Sequence, residues 1–300
     1  MRNILVTGGN GFLGKHVVEL LKESFTVYSP KMEDYDFRMQ HHALSFFGTY
    51  EPKIVINLAA AVGGIGANLA NPGSFFYDNL IIGMNLMEVA RQYNVKKFVQ
   101  MGSACEYPRD VRMPMLEKDV WDGYPEASNS SYAIAKRALL EMGQAYRKQY
   151  GMNVIHILST NLFGPGDNFD LATSHVIPAL IHRCLTQQDV TVWGSGNATR
   201  DFLYVKDAAE AIVRLTGCYN ESEPINIGSD REVSIRQLAE LVGEATDFKG
   251  TFEFDSSKPD GQPRRVLNVQ RAAHCGIRAK TKLEDGLRET VQWFKNEKSL

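Results

Sequence analysis

The sequence of 300 residues is informative first for what it lacks. It has four cysteines, none in a Cys-x-x-Cys arrangement, so neither a zinc site nor a disulfide framework is indicated. No apolar run approaches the ~18 residues that a membrane helix needs. The first residues run directly into an apolar strand pattern, without a signal peptide. We therefore expect a protein of the reducing cytoplasm that holds no metal and enters no membrane.

The sequence also lacks any long block of charges of one sign. Lys and Arg number 33 and Asp and Glu 35, which gives a formal net charge of −2 at pH 7. Because no long basic block occurs, nucleic acid is not expected as a partner. An anionic ligand would have to be held by a few local arginines. The apolar share of 44% is ordinary for a globular protein, and the length allows a sizeable core.

The N-terminal stretch has the pattern of a dinucleotide site. Residues 4–7 form a short apolar strand, and residues 9–14 read Gly-x-Gly-x-x-Gly. Apolar residues then recur at helical spacing as far as Leu21. Glycines in such a turn let a pyrophosphate approach the backbone N–H groups at the helix N-terminus. The order of strand, glycine turn and helix therefore predicts dinucleotide binding, with a merely structural turn as the alternative.

The end of the second predicted strand bears on which dinucleotide binds. An acidic residue there would hold the ribose hydroxyls of NAD. This chain has Ser29 and Pro30, followed by Lys31. A lysine beside a site without a carboxylate suits the 2′-phosphate of NADP, so NADP is favoured. The alternative is NAD, with Glu33 or Asp34 on the ribose.

Strand and helix patterns alternate through the first half of the chain. Further buried strand patterns lie at 54–58, 98–103 and 154–158. This alternation predicts an α/β fold with a Rossmann-type, doubly wound parallel sheet, whose ligands collect at the carboxyl ends of the strands. Ser103 and Cys105 fall at that edge. We expect an NADP-binding domain over residues 1–160, to which some later segments return, and a smaller substrate domain over residues 161–300.

One predicted helix carries a chemically distinctive pair. Tyr132 and Lys136 are four positions apart, so their side chains share one face. A phenol has a pKa near ~10, and an ammonium beside it favours the phenolate. Such a phenol can protonate a carbonyl oxygen while hydride reaches the carbon. The spacing alone is common, and a solvated helical face is the alternative interpretation.

Several motifs together resemble a known family. Ser103, Tyr132 and Lys136 beyond an N-terminal glycine turn are similar to the catalytic set of the short-chain dehydrogenases/reductases. Seven further segments resemble the extended, nucleotide-sugar branch and within it the GDP-L-fucose synthases. They are AAAVGGIGAN (59–68), GSACEYP (102–108), YAIAK (132–136), TNLFGPGDNF (160–169), SHVIPALI (174–181), WGSG (193–196) and KPDGQPR (258–264). The resemblance runs in order along nearly the whole chain.

The resemblance implies an NADPH-dependent enzyme that converts GDP-4-keto-6-deoxy-D-mannose to GDP-L-fucose. The carbonyl at C4 of that sugar acidifies the hydrogens at C3 and C5, so a base and an acid on opposite faces can invert each centre. By motif position, Cys105 is the base and His175 is the acid. Tyr132 then protonates the oxygen as hydride reaches C4, assisted by Ser103 and Lys136. A buried apolar cysteine and a capping histidine are the alternatives.

The resemblance also implies which residues bind the ligands. For the cofactor they are Gly8, Gly11, Phe12, Leu13, Gly14, Lys31, Leu58, Ala59, Ala60, Tyr132, Lys136, Asn161, Leu162 and His175. For the GDP-sugar they are Arg183, Trp193, Arg200, Arg264 and Arg265. Arginine suits bidentate contacts with phosphate, although each could instead form a surface ion pair. A homodimer is implied, in which the helix starting near Phe75 and the Tyr132 helix pair with their copies.

The chain departs from the family beside the expected base. Where the family has Ser-Ser-Cys-Ile-Tyr-Pro, residues 103–108 read Ser-Ala-Cys-Glu-Tyr-Pro, and residues 128–131 replace an Asn-Glu-Pro segment. We expect these positions to border the sugar. Two alternatives therefore stay open: another GDP-4-keto-deoxy sugar such as a heptose, or only one of the two reactions. A third is a non-catalytic NADP-binding protein, which the intact set of acid, base and proton donor disfavours.

Overall fold

The computed structural model describes residues 3–258 and 260–298, and so omits Pro259 from the predicted KPDGQPR motif. The strands are β1 (Asn3–Thr7), β2 (Thr26–Tyr28), β3 (Ile54–Asn57), β4 (Lys97–Ser103), β5 (Val154–Ser159), β6 (Asn161–Phe163), β7 (Val190–Trp193), β8 (Thr199–Tyr204), β9 (Ile225–Ile227), β10 (Glu232–Ser234), β11 (Phe252–Asp255) and β12 (Arg264–Arg265). The helices are α1 (Phe12–Leu21), α2 (Gln40–Tyr50), α3 (Ile65–Ala70), α4 (Pro72–Gln92), α5 (Ser130–Tyr150), α6 (Val176–Thr186), α7 (Val205–Cys218), α8 (Ile235–Thr246), α9 (Gln270–His274) and α10 (Leu283–Lys298). Short 3₁₀ turns occupy Ala104–Glu106, Glu117–Trp121 and Ala127–Asn129.

The central sheet is parallel and has six strands in the order β2-β1-β3-β4-β5-β9. Helices cover both faces: α1 packs against α7, and α4 packs against α5. Strands enclosed in this way are apolar on both sides, and β5 is buried along its whole length. The predicted Rossmann-type α/β fold is confirmed.

A second region is built around shorter strands. β8 lies between β10 and β12 and also pairs with β6, while β7 pairs with β11. Its apolar core is formed largely by α6, α8 and α10. The two regions are not two continuous stretches of the chain. α7 and β9 follow β8 of the second region in sequence, but they pack into the first region.

Helix α5 is positioned to present its first turns to the carboxyl edge of the central sheet. It packs on β4 and β5, and it ends at Gly151, whose φ of +67° favours glycine. Its buried face includes Ala135 and Leu139. Within the described ranges, no helix is long and apolar enough to cross a membrane.

Candidate active site

The glycine turn between β1 and α1 forms a backbone cradle. Gly8 has a φ of +65°, and a Cβ on Gly8 would lie 2.9 Å from the backbone nitrogen of Ala59. A Cβ on Gly14 would lie 2.1 Å from the Gly8 carbonyl oxygen. Gly11 at the N-cap of α1 has no side chain to cap the helix, so within the described ranges the first N–H groups are available to an anion. The cradle therefore suits a pyrophosphate.

Ser29 lies beside this cradle, where the 2′-phosphate of NADP was expected. Its hydroxyl oxygen is buried and has no hydrogen-bond partner within the described part of the chain. A Cβ on Gly9 would lie 2.2 Å from that oxygen. Lys31 is exposed two residues further on. A free hydroxyl and a lysine together fit a phosphate at this position.

The remaining predicted cofactor residues gather at the same edge of the sheet. Gly11, Phe12 and Leu13 begin α1, Leu58, Ala59 and Ala60 follow β3, and Asn161 and Leu162 form most of β6. Parallel strands end at one edge, so these segments converge although they are far apart in sequence.

Ser103 and Cys105 are held by a tight turn at the end of β4. The Ser103 hydroxyl accepts a hydrogen bond from the Cys105 N–H at 3.2 Å. Glu106 Oε1 accepts a hydrogen bond from the Ser103 N–H at 2.8 Å, which completes a capping box. Ser103 and Cys105 are both half-buried.

Lys136 approaches the same turn from α5. Its ammonium donates to the Met101 carbonyl oxygen at 3.0 Å and lies 5.8 Å from the centre of the Tyr132 ring. Burial lowers the pKa of Lys136 to about 8, against the opposing charge of Glu106. Lys136 and Tyr132 therefore lie close together on α5, and the role of Lys136 stays a prediction.

The state of the phenol differs from the prediction. Burial raises the pKa of Tyr132, and the negative charges of Cys105 and Glu106 raise it further, while the Ser103 hydroxyl opposes them. The prediction that Lys136 lowers the pKa of Tyr132 is therefore wrong: the surrounding protein raises this pKa. A phenol that keeps its proton can still serve as the proton donor.

The sulfur of Cys105 is contacted by two hydrogen-bond donors. Asn129 Nδ2 lies 3.2 Å from Sγ, and Arg265 Nη1 lies 3.3 Å from it. Gln262 Oε1 accepts a hydrogen bond from Arg265 Nε at 2.9 Å and so fixes the guanidinium. An amide and a guanidinium therefore hold the sulfur in place. Sequence analysis missed Asn129 and assigned Arg265 to the nucleotide.

His175 lies at the N-terminus of α6, and the segment before it is connected through hydrogen bonding and packing to the 3₁₀ turn that contains Asn129. The Gly64 N–H donates to the Thr173 carbonyl oxygen at 3.2 Å, and the following helix α3 packs on the 3₁₀ turn that ends at Asn129. The imidazole reaches solvent at the rim. Surrounding protein nevertheless disfavours the imidazolium and lowers the pKa of His175.

Arg200 and Arg265 lie together on adjacent strands. β12 pairs in parallel with β8, so that Arg265 is opposite Arg200. Burial and the neighbouring charge of Arg265 together lower the pKa of Arg200 to about 10. Two guanidinium groups on adjacent strands suit a diphosphate.

The other predicted substrate residues are differently placed. Arg183 donates to the Thr191 carbonyl oxygen at 2.8 Å, and the Trp193 ring is 58% exposed with Lys258 Nζ 5.7 Å from its centre. Arg264 forms two 2.7 Å hydrogen bonds to Glu232. Successive residues of a strand face opposite sides, so Arg264 forms a surface ion pair rather than joining Arg265.

The two departures in the Ser103 turn do not border the sugar, contrary to our expectation. Ala104 and Glu106 are both buried, with 2% and 0% of their surface exposed. The Glu106 carboxylate turns inward, to the Ser103 N–H and to His156 on β5. The carboxylate therefore lies beneath the site and not beside the substrate.

The parallel sheet, the glycine cradle and the Ser-Tyr-Lys set define a dinucleotide-dependent enzyme. The chain belongs to the NAD dependent epimerase/dehydratase family, whose profile matches residues 4–228. A GDP-L-fucose synthase of Sinorhizobium fredii is 42% identical over 299 residues, which are 98% of this chain and 95% of that protein. The family resemblance predicted from the motifs is confirmed.

Solved structures are similar over the whole chain. A GDP-L-fucose synthetase from Naegleria fowleri bound to NADP is 33% identical, with a TM-score of 0.90 over 99% of this chain and 95% of that one. A GDP-6-OMe-4-keto-L-xylo-heptose reductase from C. jejuni is 27% identical, with a TM-score of 0.92 over 99% of this chain and 98% of that one.

Proposed function

We propose that the protein carries out the NADPH-dependent 3,5-epimerisation and 4-reduction of GDP-4-keto-6-deoxy-D-mannose to GDP-L-fucose. The observation that carries this proposal is a pair of contacts with the sulfur of Cys105, two residues after Ser103. Asn129 and Arg265 both lie within hydrogen-bond distance of that sulfur. Reduction alone needs a proton donor, whereas epimerisation also needs a base beside the sugar. The relatives named GDP-L-fucose synthase support the same activity.

The residues divide the chemistry as follows. Cys105 removes the proton from C3 or C5, and the electron pair passes to the C4 oxygen as an enolate. His175 returns a proton to the opposite face, which inverts the centre. NADPH held at the glycine turn would supply a hydride to C4, and the Tyr132 hydroxyl gives its proton to the C4 oxygen. Ser103 and Lys136 stabilise the charge on that oxygen.

NADPH is the cofactor, as the residues around Ser29 and Lys31 indicate. The buried Ser29 hydroxyl and the exposed Lys31 ammonium lie where a 2′-phosphate would extend from the glycine turn. The solved relative bound to NADP is consistent with this. Arg183, Arg200 and Arg265 are our candidates for the diphosphate, and Trp193 for the nucleotide.

The experiment is incubation with NADPH and the 4-keto substrate in D₂O, followed by absorbance and product mass. Two carbon-bound deuteriums with NADPH consumption are expected. Consumption without deuterium would make the protein a reductase only, and deuterium without consumption an epimerase only. If neither deuterium incorporation nor NADPH consumption is observed, the proposal for this substrate is refuted. Cys105→Ser should suppress deuterium incorporation far more than it weakens NADPH binding.

A second candidate is reduction of a related GDP-4-keto-heptose. The observation that favours it is the TM-score of 0.92 to the heptose reductase. Competition between the two sugars for limiting enzyme decides between the candidates. A higher kcat/KM for the heptose, without deuterium at C3 or C5, would support the second.

The assembly of the protein is inferred from its surface and its cores. We infer a cytoplasmic homodimer that pairs through α4 and α5, because α4 exposes Phe76, Tyr77 and Met84. We also infer that the first region binds NADPH and the second the GDP-sugar, with α7 and β9 returning to the first. Light scattering should give twice the chain mass of 33.6 kDa, and a single-chain mass would contradict the dimer.

A further inference from the structure

A carboxylate and an imidazole are buried directly beneath the Ser103 turn, outside the chemistry proposed above. Glu106 has no exposed surface, and His156 is 3% exposed. His156 Nε2 lies 3.2 Å and 3.0 Å from the two carboxylate oxygens. His156 Nδ1 is buried and has no partner within the described ranges. The imidazole is therefore held through its contact with Glu106.

The same carboxylate fixes the backbone that carries the proposed catalytic groups. Glu106 Oε1 accepts from the Ser103 N–H at 2.8 Å, and the Glu106 carbonyl accepts from the Arg137 guanidinium. Gly102 leaves just enough room. A Cβ on Gly102 would lie 2.3 Å from His156 Nε2 and 2.4 Å from Glu106 Oε1. The turn, the carboxylate and the imidazole are thus packed as one unit.

We propose that Glu106 and His156 act together as positioning residues for this site. His156 holds the carboxylate, and the carboxylate holds the Ser103 N–H, so that the Ser103 hydroxyl and the Cys105 thiol keep their places. Neither residue touches the substrate in this scheme. The proposal rests on the proposed function for its effect on turnover, but not for its effect on the thiol.

Stability alone does not account for such a pair. A buried hydrogen-bonded polar pair is often no more stabilising than apolar residues of the same volume. Removing one partner leaves the other buried and unpaired, which is costly. The charge of Glu106 also acts on Lys136, where it opposes the lowering of the pKa by burial. These features link the pair to the reacting groups.

The test compares Glu106→Ile, His156→Val, the double variant and Glu106→Gln. Displacing a reacting group by about 1 Å can cost about 10²-fold in rate, and we expect a loss of about that size in kcat for either single variant. The double variant should be no worse than the poorer single one, because the two residues act as a unit. Glu106→Gln should stay within about tenfold of the unaltered protein, since glutamine still accepts from the Ser103 N–H.

Two further measurements separate positioning from folding and from the substrate assignment. Iodoacetamide labelling of Cys105, with the exposed Cys218 as internal reference, should slow in both single variants without any sugar present. Asp207→Asn is the matched control, because this buried carboxylate on α7 accepts from the Lys280 and Thr281 N–H groups and contacts neither Glu106 nor His156. It should lower the melting temperature and leave kcat and Cys105 labelling unchanged.

The outcomes decide the proposal. It is overturned if Glu106→Ile keeps kcat and labelling within about twofold, if the two single effects add in the double variant, or if Glu106→Gln is as poor as Glu106→Ile. If neither the unaltered protein nor any variant converts the GDP-sugar, the proposed function is wrong. The labelling rates then still decide the role of the pair.

Discussion

The two sides of the cleft are built by different means. The cofactor side is mostly backbone: the glycine turn permits close approach because Cβ atoms at Gly8 and Gly14 would meet main-chain atoms. The proposed substrate side is mostly side chains: Asn129 and Arg265 contact Cys105 from distant parts of the chain, and Arg200 lies opposite Arg265. A backbone cradle accepts any ligand with the same pyrophosphate. A side-chain site can change its sugar by a few substitutions.

The largest expected effect is that of replacing Tyr132, which we assign both to the cofactor and to the reaction with the sugar. Tyr132→Phe should slow reduction by roughly 10²–10⁴-fold, because the proton donor to the C4 oxygen is lost. NADPH affinity, measured by fluorescence titration, should change little. Tyr107→Phe is the matched control, since Tyr107 donates to Asn226 at 2.8 Å and is buried away from the cleft. Near-normal turnover of Tyr132→Phe would remove this tyrosine from the mechanism.

The next effect tests whether the cofactor side depends on backbone shape. Gly14→Ala places a Cβ 2.1 Å from the Gly8 carbonyl oxygen, so the turn must shift at an overpacking cost of about 1–3 kcal/mol. We expect NADPH affinity to fall by about tenfold or more, because the N–H groups of the cradle move away from the pyrophosphate. Gly73→Ala, with no atom within 4 Å of the new Cβ, should bind NADPH normally and gain about 0.5–1 kcal/mol of helix stability. Equal affinities for the two variants would show that the turn tolerates the added atom.

The determinants of the cofactor side are local, which is why sequence patterns could predict them. The glycine turn lies within seven residues, 8–14, and Tyr132 and Lys136 lie within one helical turn. The partners of Cys105 could not be predicted in this way. Asn129 and Arg265 are 24 and 160 positions away, and only the tertiary fold brings them to the sulfur.

Glu106 shows the same limit for burial. A carboxylate beside a predicted catalytic cysteine was expected at the sugar, because a charged side chain normally faces solvent. The partner that permits its burial, His156, lies 50 positions away on the neighbouring strand. No spacing within the motif indicates that pairing.

The third effect concerns stability at alkaline pH. The pKa of Lys136 is about 8 in the folded protein, against 10.5 for the ordinary group, so between these values the unfolded chain binds more protons. The free energy of unfolding should therefore rise with pH by up to about 1.4 kcal/mol per unit from this group. Below pH 8 its destabilising contribution stays constant. Denaturant titrations of the protein and of Lys136→Met from pH 7 to 10 should differ by this slope, and parallel curves would contradict it.

The smallest effects compare two neighbouring arginines. Arg265→Gln removes the guanidinium that contacts Cys105 Sγ and should slow iodoacetamide labelling of Cys105, because the sulfur loses a hydrogen-bond donor that holds it in place. Arg264→Gln breaks only the ion pair with Glu232, in which the arginine is 48% exposed. It should cost less than about 1 kcal/mol of stability and leave labelling unchanged. Because the two side chains face opposite sides of one short strand, equal labelling of both variants would mean that Arg265 does not act on the sulfur. Asn129 would then be the remaining described donor to Sγ.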